Sequence, residues 1–203
     1  MARSLTRKIE PITLRAHRDR PARSDPFPFF PGFLPFRHRS GGCSLMGPKF
    51  RVTLDDTAEP FFKLFELGGA AVTPENLLCY CLLFLDNVVT SQGRFLLVQP
   101  GDFIAWKPGT SEDQRTDVRK YIAPVRYCGE DDQGLWSLRA NVFFKNALFR
   151  TDVKFAPRDL DVVAPDESEP YQIPAGGVTV WNERLVLADA PIVPENFLRG
   201  LLP

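Results

Sequence analysis

Histidine is scarce in this chain of 203 residues: there are two, His17 and His38, and both precede Met46. Everything after Met46 lacks the imidazole that Ser-His-Asp and Cys-His mechanisms need, and lacks the commonest nitrogen ligand of zinc. An enzyme built from that part of the chain would have to use carboxylates, Tyr, Lys, Arg or cysteine. Long apolar runs are missing as well. The longest, Leu77 to Leu85, has nine residues, about half of the roughly 18–20 that cross a bilayer. The N-terminus has no apolar stretch of the secretory kind. These absences lead us to expect a soluble protein with no membrane partner. No Walker loop and no G-x-G-x-x-G occurs, so the two usual nucleotide-phosphate cradles are absent.

Cysteine is sparse too, with four residues at 43, 79, 81 and 128. Disulfide frameworks belong to small secreted chains without a core, and this chain has the apolar content to build one. Cys79 and Cys81 sit among leucines. Two residues apart on a helix, they point about 200° away from each other and cannot chelate one ion. We therefore expect them to pack in a core, in a reducing compartment such as the cytoplasm, with no metal and no cofactor. The acidic loops "GEDDQG" and "DESEP" lack the ligand periodicity and central glycine of a calcium loop.

Net charge is zero, but it is unevenly spread. Residues 1–45 hold nine basic and three acidic side chains, whereas residues 46–203 hold 16 basic and 22 acidic ones. The later part is mildly acidic, without the basic footprint of a nucleic-acid binder. Residues 1–45 are Arg-rich, then dense in Pro and Phe, with prolines at 26, 28, 31 and 35. Such a segment lacks the donors and free φ angles of regular structure, so it reads as a disordered tail. The change of charge character at Met46 reads first as a natural start there; next comes an organelle presequence, opposed by Glu10, Asp19 and the later prolines, and last a docking segment. Residues 46–203 read as a single domain.

Within that domain, Phe50, Val52 and Leu54 alternate as in a half-buried strand. Phe61, Phe62 and Phe65 follow at helical spacing, with Thr57 as the expected cap and Gly68-Gly69 as the stop. Thr73, Pro74 and Glu75 have the chemistry of a helix start and predict a helix over 74–89, apolar nearly all round and so in need of cover on most sides. Pro100-Gly101 predicts a hairpin of Phe95–Val98 with Phe103–Trp106. Ser111 and Gln114 match a capping box. "KYIAPVRYC" reads as an edge or bulged strand. The clearest β signal is the hairpin "LWSLRANVFF" with "ALFRTDVKF", turning at Lys145-Asn146. Leu160–Val163 is a short strand, "VTVWNERLVLA" a last hairpin turning near Asn182-Glu183, and "VPENFLRGLLP" a short C-terminal helix.

The order predicts an α+β fold, in which a twisted antiparallel sheet of about six or seven strands wraps a buried, mostly apolar helix. Carboxylates at Asp55/Asp56, Glu130/Asp131/Asp132, Asp159/Asp161 and Asp166/Glu167/Glu169 fall at strand ends and in turns, where solvated acids are the rule. More informative are polar residues on strand faces. Ser137, Arg139 and Asn141 share one face, and Arg126 precedes Tyr127 on the neighbouring strand. By alternation they are outward polars on a solvated face. In the other reading Arg126, Arg139 and Asn141 form a cleft with Trp106 or Tyr121 and hold an anionic or amide group. Tyr80, whose hydroxyl needs a partner, and Asp86 at the helix end are where a pocket beside the helix would first meet polar chemistry. The candidate ligand-binding residues are thus Tyr80, Asp86, Trp106, Arg126, Tyr127, Arg139 and Asn141. The expectation is a non-catalytic binding or interaction domain that forms homodimers through a strand edge or a Phe-rich surface. The alternative is a small His-independent enzyme or a small-molecule carrier with its pocket between sheet and helix.

Overall fold

The computed structural model describes residues 10–11, 34–37, 43–47, 50–101 and 104–193, with the backbone alone for 10–11, 34–37 and 43. The chain is mixed α+β. Its described residues contain three helices, and every paired strand is antiparallel. The strands are divided among three sheets instead of forming one. β1 (Glu10–Pro11), β2 (Leu34–Arg37), β3 (Cys43–Met46) and β4 (Arg51–Leu54) form a four-stranded sheet in chain order. Part of the segment read as a tail thus takes strand positions, and Leu45 is wholly buried in the main core.

The five-stranded sheet is built on the predicted hairpin, β7 (Trp136–Phe144) with β8 (Ala147–Phe155). Lys145 supplies the positive φ, 55°, that a two-residue turn needs. β11 (Val178–Leu187) flanks β8. It is a single strand and not the expected hairpin: Asn182, at φ 56°, makes a bulge that shifts the register between Trp181 and Arg184. On the other flank, β7 is shared by β5 (Phe95–Val98) and β6 (Arg126–Glu130). The expected partner of β5 is thereby corrected. Phe95–Val98 is apolar on both sides and pairs with Asn141–Phe144, the end of β7 that is apolar from Val142 onward. Trp106 instead bridges Ile192, and Phe103 lies outside the described residues. β9 (Leu160–Val162) and β10 (Tyr171–Ile173) form a separate pair.

Helix α1 (Glu59–Glu66) carries no side-chain cap, because the Thr57 hydroxyl donates to Asp55 Oδ1 at 2.7 Å. Its end is as expected, with Gly68 at φ 65°. Helix α2 (Leu77–Asn87) starts three residues later than predicted. Asn76 explains the delay. Its side chain accepts from Thr73 N at 2.8 Å and donates to Ala71 O at 3.0 Å, which holds 71–76 in a turn. Helix α3 (Glu112–Lys120) has the full capping box, with Ser111 and Gln114 bonded reciprocally. The expected C-terminal helix lies outside the described residues.

Alternation along β7 and β8 sorts their side chains onto two faces. One face, with Leu138, Ala140, Val142, Val153 and Phe155, packs against α1, α2 and β4 in the main core. The other is apolar at one end, where Leu96, Phe143 and Leu148 meet Val118 of α3 and Ile122 just beyond it, and again where Trp181, opposite Asp152, packs with Leu135, Val162 and Ile173. The remainder of that second face is polar.

Candidate functional site

The second face of the five-stranded sheet collects charge from three neighbouring strands. Register places Arg126 of β6 opposite Arg139 of β7, Arg139 opposite Asp152 of β8, and Asn141 opposite Arg150. Neighbouring strands are about 4.8 Å apart, so side chains from all three reach a common patch. Arg139 Nε donates to Asp152 Oδ1 at 2.5 Å, and Asn182 Nδ2 donates to Asp152 Oδ2 at 2.8 Å. The bulge at Asn182 is what turns that amide toward the carboxylate. Asp152 is 7% exposed, so both of its oxygens are spent inside the structure.

Arg150 is held from the side. Its NH1 donates to Asn141 Oδ1 at 2.8 Å, and the backbone N–H of Ala123 donates to the same oxygen at 2.9 Å. Two donors on one oxygen fix which end of the Asn141 amide faces them, and leave its buried Nδ2 without a partner. Burial, followed by the like charges of Arg139 and Arg126, lowers the Arg150 guanidinium below its ordinary range. Cys128, the extra residue at the β6 bulge, is exposed and close enough to Arg150 to interact with it electrostatically. Among the described residues neither Arg126 nor Arg150 has a carboxylate partner. Of these three guanidiniums only Arg139 is paired with a carboxylate. Further along β8, Lys154 is already matched by Asp131 at 2.7 Å.

No protein-family model, curated protein or solved structure matches the chain.

The candidate residues divide between the two faces. Arg126, Arg139 and Asn141 come together in the patch. Tyr127 is 43% exposed and stands opposite Leu138, whose side chain belongs to the other face. Trp106 packs in the cluster under α3, with the Arg119 guanidinium 5.5 Å from its ring centroid. Asp86 is buried near the end of α2 on the far side of the sheet.

Tyr80 is wholly buried on that side too, and its hydroxyl donates to Gly176 O at 2.6 Å. Burial pushes its phenol well up. Phe61, Phe65, Phe84 and Phe155 surround it with ring centroids 5.3–6.2 Å away. Aromatic rings thus fill the space around Tyr80 between helix and sheet. Among the described residues no group of three or more His, Cys, Asp or Glu could hold a metal ion, and no helix is long and apolar enough to cross a membrane.

An open groove of about 540 Å³ runs between α3 and the end of β11, lined by Asp117, Lys120, Tyr121 and Asp189 among others. Lys120 is spent on Asp117 at 2.7 Å and Asp189 accepts from Asn146 at 2.6 Å, so this groove presents little unmet charge. Sequence reasoning missed Arg150, Asp152 and Asn182 as site residues. For the first two a signal existed: both share a face with Arg139 once the hairpin turn is placed.

Proposed function

We propose that this domain is a non-catalytic binding module that receives an anionic group on the arginine face of its five-stranded sheet. One observation carries the reading: Arg126, Arg139 and Arg150 stand on three adjacent strands, and the one carboxylate that pairs with any of them, Asp152, has both oxygens already occupied. Residues 46–203 carry 22 acidic and 16 basic side chains, so acids are plentiful; leaving these cations unmatched costs stability unless an external anion answers them. Guanidinium suits that task because its planar fork donates two parallel bonds to a carboxylate or a phosphate. Arg139 and Arg150 are held in advance by Asp152 and Asn141, which reduces the ordering cost of binding.

The proposal includes self-association. Tyr127 and Leu185, 43% and 55% exposed, stand on strands at opposite edges of the sheet and give an edge-to-edge contact its apolar component. It also places the protein in a reducing compartment such as the cytoplasm, in keeping with the thiols of Cys81 and Cys128.

Thermal unfolding at constant ionic strength tests the anion site. Citrate, sulfate and phosphate should raise the midpoint over chloride, with about 1.4 kcal/mol of stabilisation at ten times the dissociation constant. The double variant Arg126→Gln/Arg150→Gln should lose the response. Equal midpoints in all four anions would remove the proposal. Sedimentation at several protein concentrations tests self-association, and a monomer throughout would end that part.

A further inference from the structure

We infer that the group taken by the arginine face is a dianionic phosphate monoester, an inference that rests on the anion-binding reading above. Register also places Arg184 of β11 opposite Arg150, so this face holds four cations, Arg126, Arg139, Arg150 and Arg184, and Asp152 is paired with Arg139 among them. The surplus is three positive charges, and a phosphate monoester, with close to two negative charges near neutral pH, answers more of it than a monoanion does. The neighbouring charges do not alter that surplus, because Lys154 is matched by Asp131, and Glu130 lies 3.8 Å from Arg158. A carboxylate or a sulfate ester, with a single negative charge, would answer only one of these cations.

The donors also suit a tetrahedral group more than a planar one. Arg139 gives its Nε to Asp152 and keeps both terminal nitrogens, and Arg150 gives NH1 to Asn141 and keeps Nε and NH2. Arg126 makes no ion pair among the described residues and keeps all its donors. The remaining donors therefore come from three adjacent strands. A phosphoryl group, with three terminal oxygens spread in space, can accept from all of them, whereas a carboxylate accepts within one plane.

Calorimetric titration with three probes that differ in charge and shape tests this. Phenyl phosphate at pH 8 should bind about tenfold or more tightly than phenyl sulfate, which has the same shape and one charge less, and than benzoate. Arg126→Gln removes an exposed side chain without an ion pair, so the fold should persist; it should bring phenyl phosphate down to the level of phenyl sulfate. Lys63→Gln, on α1, should change neither. If the three probes bind equally well, the dianion assignment is wrong and the anion site stands. If none binds, both fall. The phosphate could belong to a metabolite or to a protein chain. Glucose 6-phosphate and a five-residue alanine peptide with a central phosphoserine separate these sources, and failure of both while phenyl phosphate binds would overturn the assignment to biological monoesters.

Discussion

Arg139 and Asp152 face each other across β7 and β8, with Arg139 Nε on one carboxylate oxygen and Asn182 on the other. Asp152 is thus the only carboxylate among the described residues that pairs with any of the three guanidiniums, and it is held by a strand on each side. Asp152→Ala should cost about 1–3 kcal/mol, the range for a charge-assisted hydrogen bond lost from a shielded site. The cost should shrink when sulfate replaces chloride at equal ionic strength, since the anion takes over the missing charge. Urea unfolding in the two salts measures both effects. An unchanged midpoint in chloride would mean that the pair contributes nothing.

Tyr80 and Gly176 make the second contact that single substitutions can probe. Tyr80→Phe removes a buried 2.6 Å hydrogen bond and orphans the Gly176 carbonyl, so a loss of about 1–3 kcal/mol is expected. Gly176→Ala should do more harm. A Cβ there would lie 2.4 Å from the Phe65 ring, at φ 85°, whereas Gly101, with φ 87°, has open space around it. Chemical denaturation should rank Gly176→Ala well below Gly101→Ala in stability. Equal losses would show that the Phe65 ring moves aside freely.

The described thiols should separate by reactivity. Cys81 is wholly buried, and burial followed by the nearby Cys79 pushes its thiol up, which withholds the nucleophilic thiolate. Cys128 is exposed at the β6 bulge. In a Cys43→Ser background, a disulfide reagent should modify Cys128 first and reach Cys81 only on unfolding. Mass spectrometry of the labelled peptides decides the order.

Asp131 gives a prediction with pH. Burial would raise its carboxyl, but Lys154 and the backbone N–H groups of Leu135 and Gln133 outweigh burial and hold it below the usual carboxylate range. A carboxyl depressed in the folded state contributes stability that is present above the unfolded value, about 3.9, and is lost as pH falls through the folded one. Asp131→Asn should therefore be less stable than the parent at neutral pH, and the difference should narrow towards pH 2. A constant gap across acid titration would contradict this.

Much of the patch could have been located by counting. Once Lys145-Asn146 is the turn, Phe144 faces Ala147, and each further step in one strand is matched in the other until Arg139 meets Asp152 and Asn141 meets Arg150. The alternation of apolar and polar residues then assigns all four to one face. What pattern could not supply was the contact with Asn182, because "VTVWNERLVLA" reads equally as a hairpin and as one bulged strand. Nor could it supply the choice of partner for Phe95–Val98. A run that is apolar on both sides announces burial and says nothing about its neighbour, whereas a proline-glycine turn argues for the nearest one. Similarly, Thr73 and Pro74 have the chemistry of a helix start, yet the Asn76 side chain ties that stretch into a turn and moves the start to Leu77.

The acceptor of the Tyr80 hydroxyl lies 96 residues further along the chain. During synthesis, α2 emerges long before the loop that receives it. Ribosomal elongation at about 5–20 residues per second leaves this apolar helix waiting several seconds for its partner. In that interval Leu83, Phe84 and Leu85, all buried in the finished domain, lack part of their eventual cover. The contact that completes the core is thus also a clock, setting the earliest moment at which the nascent chain can hide the surface most prone to aggregate.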